Sequence, residues 1–458
     1  MARAGRTRWG GIFDDRVTGT CFFRVETLDG VWWLVDPDGG RFISKGVCNV
    51  SFDPDQIQGT DRAPYAAACR RKYGGIQQWQ TAVARRLASW GFNSLGAWSD
   101  DAVAVAAPVP LAVAPIVHLG AAFIGHQERQ GKAPVGFPDV FDPDFASFVQ
   151  RMAIECCTPR RDEPGIIGWF TDNELPWGPD WRGQDEPLTL FLNQPAACSG
   201  RVAAIAHLRE RHRDIASFNA VWRGTATGWD GLSHIEPPFR RDPLYAQSAE
   251  VERQRNAADP RRAAFVADCD AFAGALAERY FAVTVAAVQA ADPNHLVLGP
   301  RFGYAPQTPV VAAAGRHLDV IAFNAYDADP LRTIDVYART GRPCLVGEFS
   351  FRGDDSGLPN TRGGGLRVAT QEDRARSFER YVSAGLRRPS LVGYHWFEHA
   401  DQPAEGRFDG ENSNFGTVTI ADDVYEELTQ AMTAINGEVE ACHAAGAHAG
   451  QALAEGAR

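Results

Sequence analysis

The chain has no long hydrophobic run and no basic cluster. Nowhere does it approach the 18 consecutive apolar residues typical of a membrane-spanning helix. It has no Lys/Arg run with interleaved aromatic residues, and 57 acidic residues outnumber 46 basic ones, for a formal net charge of −11. Binding to nucleic acid depends on neutralising phosphates, so this balance argues against nucleic-acid and membrane partners. An uncharged or weakly charged partner fits better.

The chain also has few sequence signals for export or cofactor binding. The first 15 residues are basic but lack the apolar stretch of a secretory signal. The nine cysteines are an odd number without CxxC spacing, and Cys156-Cys157 is a vicinal pair. Buried free thiols in a reducing compartment are the expected reading, which predicts a cytoplasmic protein. No metal and no cofactor is expected, and a homo-oligomer is left open.

Eight short β-branched or aromatic runs are present, and each is closed by polar residues. They are 42–51, 92–99, 111–120, 166–174, 296–305, 319–327, 344–351 and 391–399. Segments with apolar residues at helical spacing lie between several of these runs, at 77–91, 268–295 and 371–388. Alternating strands and helices predict a parallel sheet, and eight strands predict an α/β fold of the (β/α)8 TIM-barrel type. A doubly wound open sheet is the rival, but no GxGxxG follows the first strand.

Three additions to the barrel are predicted. Residues 1–41 contain a β-ribbon that turns at Asp29-Gly30 and Asp38-Gly39, and residues 42–436 form the catalytic barrel. The connection between strands four and five exceeds 100 residues and is expected to wall off one end of the active site, through Trp222, Trp229 and the Pro237-Pro238 pair. Residues 437–458 are Ala/Gly-rich and are expected to be a loosely held tail.

Two acidic residues close apolar strands. Glu174 ends the fourth strand in GWFTDNELPWG (168–178), and Glu348 lies in LVGEFSF (345–351) on the seventh. Polar residues at the carboxyl ends of barrel strands face the catalytic mouth. A carboxylate in such apolar surroundings is costly to bury unless it is paired or functional. Structural ion pairs are the alternative for each acid taken alone.

Two facing carboxylates suit the cleavage of a glycosidic bond. One protonates the glycosidic oxygen while the other attacks the anomeric carbon, when the two lie about 5–5.5 Å apart. Strands four and seven lie across a barrel mouth from each other. Asn173 could bind a sugar hydroxyl near the reacting centre, and Tyr326, at the end of strand six, could hold Glu348 ionised by donating a hydrogen bond.

Six segments carry a resemblance to a known family. They are 32–50, 166–178 (IIGWFTDNELPWG), 292–303, 345–357 (LVGEFSFRGDDSG), 393–416 and 422–436. Together they resemble glycoside hydrolase family 50, the β-agarases, among the clan A retaining glycoside hydrolases. The resemblance implies Glu174 as general acid/base and Glu348 as nucleophile. Agarases of that family usually carry a further N-terminal domain and are commonly secreted, so a cytoplasmic relative is expected to trim short oligosaccharides. Exo action is expected because the long connection between strands four and five closes one end of the active site.

Other residues at strand ends are candidates for binding substrate. Trp396 and His395 end the eighth strand, where a Trp commonly floors the sugar subsite, with core packing as the alternative. His118 is either a sugar contact or a satisfied core histidine. The remaining candidates are Asn49, Trp98, Arg301, Asn324 and Glu398. Glu398 belongs to an acidic cluster with Asp401, Glu411 and Asn412. This cluster could bind sugar hydroxyls or pair with Arg407. A metal site from Asp401 and Glu411 is the least favoured alternative, because no His or Cys cluster accompanies them.

The leading hypothesis is therefore a retaining β-glycosidase acting on agarose-type or related β-linked galacto-oligosaccharides. Three alternatives stay open: a transglycosylase that uses the same residues, a glycosidase with another sugar specificity, and an inactive barrel that only binds saccharide. Retention of both Glu174 and Glu348 argues against the last.

Overall fold

The computed structural model describes residues 5–455 except 15–16, 108, 133, 233 and 243–248, and describes positions 447–455 by their backbone alone. The strands are β1 (Ile12–Phe13), β2 (Arg24–Leu28), β3 (Val31–Val35), β4 (Gly40–Phe42), β5 (Ser44–Val47), β6 (Ser94–Leu95), β7 (Ala112–Val113), β8 (Gly168–Phe170), β9 (Leu296–Gly299), β10 (Ile321–Asn324), β11 (Cys344–Phe349), β12 (Phe351–Gly353), β13 (Leu366–Val368) and β14 (Leu391–Trp396). The helices are α1 (Pro64–Tyr73), α2 (Ile76–Ser89), α3 (Asp101–Ala106), α4 (Leu119–Arg129), α5 (Asp144–Cys157), α6 (Pro187–Leu192), α7 (Ser199–Arg211), α8 (Ile215–Trp222), α9 (Ala249–Ala258), α10 (Pro260–Ala291), α11 (Thr308–His317), α12 (Leu331–Ala338), α13 (Gln371–Gly385) and α14 (Glu426–Glu455).

Each of the eight predicted strand segments contains a strand, and all eight pair in parallel. Six form one sheet in the order β10-β11-β14-β5-β6-β7, and β8 pairs with β9. Isolated parallel bridges Val113↔Ile166 and Ile116↔Phe170 join the β7 and β8 segments, and Phe302↔Phe323 joins the β9 and β10 segments. Each of these eight strands, called the ring strands below, therefore has a parallel neighbour on both sides. The predicted parallel α/β arrangement is confirmed.

The helices form where apolar residues recur at helical spacing. In α2, Trp79, Val83 and Leu87 are fully buried and lie four residues apart, so they make one stripe against the core. The turn after α2 runs through Gly91, whose φ of 79° favours glycine and whose Cβ would lie 2.8 Å from Asn436 Cβ. Asp259 caps α10 by accepting hydrogen bonds from the backbone N–H groups of residues 261 and 262.

Helix α10 is the longest element and is strongly apolar. By length and composition alone it could span a membrane, but more than half of its apolar window is buried inside the protein. Its buried residues include Phe265, Phe272, Tyr280 and Phe281. The length therefore follows from the many elements that pack on it: α5, α11 and the short helices of the long connection between β8 and β9.

The N-terminal segment forms a four-stranded antiparallel sheet in the order β1-β4-β3-β2. The β2–β3 hairpin turns at Asp29-Gly30, as predicted, with φ of 53° and 78°. The sheet and the residue before β2 contribute Leu34, Phe42 and Phe23 to an apolar cluster that also contains Leu345 and Val392 from the ring strands. These contacts bury residues near the amino ends of β11 and β14, so the sheet lies at the opposite end of the ring from the predicted site.

The C-terminal segment differs from the expectation of a loose tail. Residue 437 falls inside α14, and Val439, Glu440 and His443 beyond it are buried. Glu440 Oε1 lies 2.7 Å from Lys45 Nζ, and one ring nitrogen of His443 lies 3.0 Å from the Trp32 carbonyl oxygen. As far as residue 446 the expectation is wrong, because these tertiary contacts hold an Ala/Gly-rich helix that its composition alone would leave weak.

Candidate active site

Five consecutive ring strands end in a residue with left-handed backbone. The strands β5 to β9 are followed by Asn49, Trp98, His118, Glu174 and Arg301, with φ between 45° and 61°. Such φ values are costly for residues other than glycine and concentrate at functional sites, where surrounding structure enforces them. All five are candidates from the sequence, and all but Arg301 line the cleft at the carboxyl end of the ring.

A cleft of about 890 Å³ opens at this end, within the size range of small-molecule sites. Both predicted catalytic acids line it. The predicted binding residues that line it with them are Asn49, Trp98, His118, Asn173, Asn324 and Tyr326. Eight of the twelve site residues predicted from the sequence therefore line one cavity, whereas Arg301, Glu398, His395 and Trp396 do not.

Glu174 accepts a single side-chain hydrogen bond in a setting where burial dominates its pKa. Asn324 Nδ2 donates to Glu174 Oε1 at 2.8 Å. Burial raises the pKa of Glu174 to about 7, with the negative charge of Glu348 as the next cause. Near neutral pH this carboxyl group therefore keeps its proton in a large share of molecules, as a general acid requires.

Glu348 has a charged and strongly hydrogen-bonded setting. Arg301 Nη1 lies 2.8 Å from Glu348 Oε1, and the Tyr326 hydroxyl donates to Glu348 Oε2 at 2.5 Å. Arg301 is itself fully buried and also donates to the Gly347 carbonyl oxygen at 2.8 Å. A guanidinium beside one oxygen and a phenol on the other fix the orientation of this carboxyl group.

Two asparagines link the surroundings of the two acids. Arg301 Nη1 donates to Asn173 Oδ1 at 3.0 Å, and Asn324 Nδ2 lies 3.2 Å from the same oxygen. A Cβ at Gly347 would stand 3.0 Å from both Arg301 Nε and Asn324 Oδ1, so the missing side chain permits this packing. One network therefore positions both carboxyl groups.

Trp98 and His118 form part of the cleft wall and contact each other. The indole Nε1–H donates to His118 Nε2 at 3.2 Å, and the Arg301 guanidinium lies 4.5 Å from the centre of the Trp98 ring. Burial and then the charge of Arg301 lower the pKa of His118. The histidine is therefore neutral at pH 7, and with Nε2 as acceptor its Nδ1 carries the proton.

Two members of the predicted acidic cluster, together with Asp55, surround Arg407. Glu398 and Glu411 face its guanidinium at 3.9 and 2.8 Å, and Asp55 lies 3.8 Å away. Burial raises the pKa of Asp55 to about 6 and that of Glu398 well above its ordinary range. Glu398 lies behind the cleft lining, where Asn49 Nδ2 donates to it, whereas Asp55, Arg407 and Glu411 line the cleft.

The metal alternative that pairs Asp401 with Glu411 does not fit the arrangement of these side chains. Asp401 accepts hydrogen bonds from Asn414 Nδ2 at 2.8 Å and from the Tyr425 hydroxyl at 2.6 Å. Glu411 is instead engaged by Arg407 and by Gln402 Nε2, at 2.8 and 2.9 Å. The two carboxylates serve separate networks.

Two predictions on the eighth strand are corrected. Trp396 is fully buried away from the cleft: its Nε1–H donates to the Phe415 carbonyl oxygen at 2.9 Å, and its ring packs on Phe349. His395 lies inside the ring, 2.9 Å from Ser44 Oγ, and burial lowers its pKa to about 3. The next residue, Phe397, lines the cleft. Side chains alternate along a strand, so a one-residue error exchanges inner and outer faces.

The long connection between β8 and β9 also differs from the prediction. Of its described residues between positions 187 and 302, none lines the cleft. Trp222 is buried and donates its Nε1–H to Asp268 Oδ2 of α10 at 2.9 Å. Trp229 packs on Phe218 within the connection, with ring centres 5.4 Å apart. These helices cover the outside of α10 because their apolar faces find burial there, so they do not wall off the site.

Four cleft aromatic residues were not singled out from the sequence. They are Trp181, Tyr304, Phe397 and Phe408. Trp181 and Phe408 are 53% and 76% exposed, unlike the buried aromatic residues of the core. The sequence signal that could have identified them is their position: Trp181 follows Glu174 by seven residues in a loop, and Phe408 is next to Arg407.

Comparisons with known proteins give a consistent result. No family model matches the chain. It is 28% identical to β-agarase B of Vibrio sp. (strain JT0107) over 95% of its length, and 28% identical to β-agarase A of the same strain over 94%. The chain spans about half the length of these curated relatives, 50% and 48%.

Solved structures share the fold. An exo-β-agarase matches with a TM-score of 0.77 at 23% identity, covering 96% of this chain and 68% of that chain. The agarase AgWH50C matches with a TM-score of 0.74 at 24% identity, with the same coverage. The β-agarase-like resemblance read from the six sequence segments is confirmed.

Proposed function

Because the chain is similar to β-agarases along nearly its whole length, we propose that it is a retaining β-glycoside hydrolase on a (β/α)8 barrel. The observation that carries the proposal is the unequal pair of acids in one cleft. Glu174 has a pKa raised to about 7, and Glu348 is held by Arg301 and Tyr326. Two carboxyl groups whose surroundings differ in this way can take different roles, here Glu174 as the proton donor and Glu348 as the nucleophile. The complete circuit of eight parallel strands supports the barrel.

The reaction proceeds in two displacements. The Glu348 carboxylate attacks the anomeric carbon while Glu174 gives its proton to the glycosidic oxygen, so the bond to the leaving sugar breaks and a glycosyl ester forms. Glu174, now ionised, takes a proton from water, which attacks the anomeric carbon and releases Glu348. Two inversions retain the β configuration. Arg301 and Tyr326 orient the nucleophile, and Asn324 orients the acid.

The proposed substrates are short β-linked galacto-oligosaccharides of agarose type. The two curated relatives are β-agarases, and the cleft offers what sugars require: amide and imidazole groups at Asn49, Asn173 and His118, and aromatic faces at Trp181 and Phe397. We propose exo action, as in the exo-β-agarase whose fold the chain shares. Exo action does not follow from the long connection, because none of its described residues from position 187 onward lines the cleft.

The test is a panel of nitrophenyl glycosides and defined oligosaccharides, agaro-oligosaccharides included, followed by proton NMR of the first product. We expect cleavage of β-linked substrates and a β-anomer that appears before mutarotation. Exo action predicts small products from the first minutes. An α-anomer formed first contradicts the retaining mechanism, and an early ladder of mid-sized oligomers contradicts exo action.

A further inference from the structure

Trp181 is an exposed aromatic residue at the rim of the cleft. Large exposed apolar side chains need an explanation when they border a site. In the described part of the chain, Trp181 and Phe408 are the large exposed apolar residues that line the cleft, whereas Val105, Ile154 and others lie elsewhere on the surface. Core packing does not account for a ring that is half exposed.

The ring is held in place by a short turn. Residues 180 and 183 pair through two backbone hydrogen bonds of 3.0 and 3.2 Å, which places Trp181 at the tip. The Arg182 guanidinium lies 4.6 Å from the centre of the Trp181 ring and is anchored by the buried Asp180 carboxylate through Nε contacts of 3.2 and 3.1 Å. One face of the indole is therefore covered by a cation, while the residue as a whole stays half exposed.

Trp181 and Glu174 meet at Gly303. A Cβ on Gly303 would stand 2.7 Å from Trp181 Cη2 and 3.2 Å from both Cγ and Cδ of Glu174. The bare backbone at 303 thus allows the indole and the carboxyl group to flank the same point. Tyr304 meets the indole edge-on, with ring centres 6.5 Å apart. Trp181 therefore lies on the Glu174 side of the cleft.

The side of the cleft decides which sugar the ring meets. Glu174 protonates the glycosidic oxygen, so the sugar next to it is the one that leaves. Phe408 lies instead against Arg407, which pairs with Glu411, and the charge of Glu348 acts on Glu411. Building on the proposed function, we propose that Trp181 is the stacking platform for the leaving sugar. The indole binds the apolar face of that ring in both the departing product and an incoming acceptor.

The experiment compares two substrates with one glycone: an agaro-oligosaccharide and the corresponding β-glycosyl fluoride, whose leaving group is too small to stack. We expect Trp181→Ala to lower kcat/KM on the oligosaccharide about tenfold, equivalent to about 1.4 kcal/mol, and to leave the fluoride within twofold. Trp181→Phe should recover most of the loss. Trp229→Ala, which removes a Trp of the outer connection, is the matched control and should change neither rate.

Binding gives a readout that does not need turnover. In the Glu348→Gln background, Trp181→Ala should weaken calorimetric binding of an agaro-tetrasaccharide about tenfold. Equal losses on oligosaccharide and fluoride, or unchanged tetrasaccharide affinity, would overturn the platform. If the unaltered chain cleaves neither substrate, the proposed function fails, and the effect of Trp181→Ala on tetrasaccharide binding alone decides the role of the ring.

Discussion

Glu174 and Glu348 share a cleft but have opposite surroundings. Glu174 accepts one side-chain hydrogen bond, from Asn324, and burial raises its pKa to about 7. Glu348 faces the buried Arg301 guanidinium at 2.8 Å and accepts a hydrogen bond from Tyr326 at 2.5 Å. The comparison teaches that the identity of the acid does not set its role. Burial and a neighbouring negative charge raise the pKa of Glu174, whereas Glu348 lies against a guanidinium and a phenol.

The largest effect is expected from removing the charged member of the pair. Glu348→Gln keeps the size of the side chain but lacks a nucleophilic oxygen, so kcat should fall at least about 10⁴-fold on an activated aryl glycoside. Circular dichroism should show a folded protein. Glu440→Gln, a buried paired carboxylate outside the cleft, is the matched control and should retain activity. Residual activity above a few per cent in Glu348→Gln means that the nucleophile lies elsewhere.

Removing the proton-holding member should give a loss that depends on the leaving group. Glu174→Ala is expected to slow substrates with poor leaving groups by about 10²–10⁴-fold, because these need a proton to depart. Aryl glycosides with good leaving groups should be affected far less. Azide should restore turnover of such aryl glycosides by entering the vacated space and should give a β-glycosyl azide. Equal losses on both substrate types would contradict the assignment of Glu174.

A smaller effect is expected from weakening the setting of Glu348 without touching the acid itself. Tyr326→Phe deletes the donor to Glu348 Oε2, and a hydrogen bond to a charged group contributes about 1.5–3 kcal/mol. We therefore expect kcat to fall by about one to two orders of magnitude. Tyr394→Phe removes a buried hydroxyl that donates to Asn436 Oδ1 at the same distance of 2.5 Å outside the cleft, and it should leave kcat unchanged.

The smallest effect is the coupling between the two acids. Glu174 must be protonated to act, so kcat/KM should fall as pH rises through about 7, which is the alkaline limb of a bell-shaped profile. The charge of Glu348 is one of the causes that raise this pKa. Glu348→Gln should therefore lower the pKa of Glu174, which carbon-13 NMR of labelled glutamate can follow. An unchanged titration would show that burial alone sets the value.

The sequence reached the ring strands and both acids because each leaves a local pattern. A buried parallel strand is a short apolar run, and all eight such runs contain a parallel strand in the structure. Glu174 and Glu348 stood out because a carboxylate that closes an apolar run needs a reason to be there. The same reasoning found Arg301, Asn324 and Tyr326, which directly contact the two acids.

The misassigned residues depended on information that is not local. Trp396 and Phe397 are adjacent aromatic residues, and either could face the cleft until the register of β14 is known. Trp181 and Phe408 lie in loops without periodicity, so their exposure at the cleft rim is not encoded in a pattern. The long connection contains Trp and Pro residues typical of a binding rim, yet its apolar faces pack on α10.

By itself, the sequence determined the order of strands and helices, the parallel sheet and the two carboxyl groups, because hydrophobic periodicity and buried charge act over a few residues. Only the tertiary structure decided which acid keeps its proton. That property arises from groups far apart in the chain: Asn324 lies 150 residues from Glu174, and Arg301 lies 47 residues before Glu348. Electrostatic settings depend on distance in space, and folding alone establishes those distances.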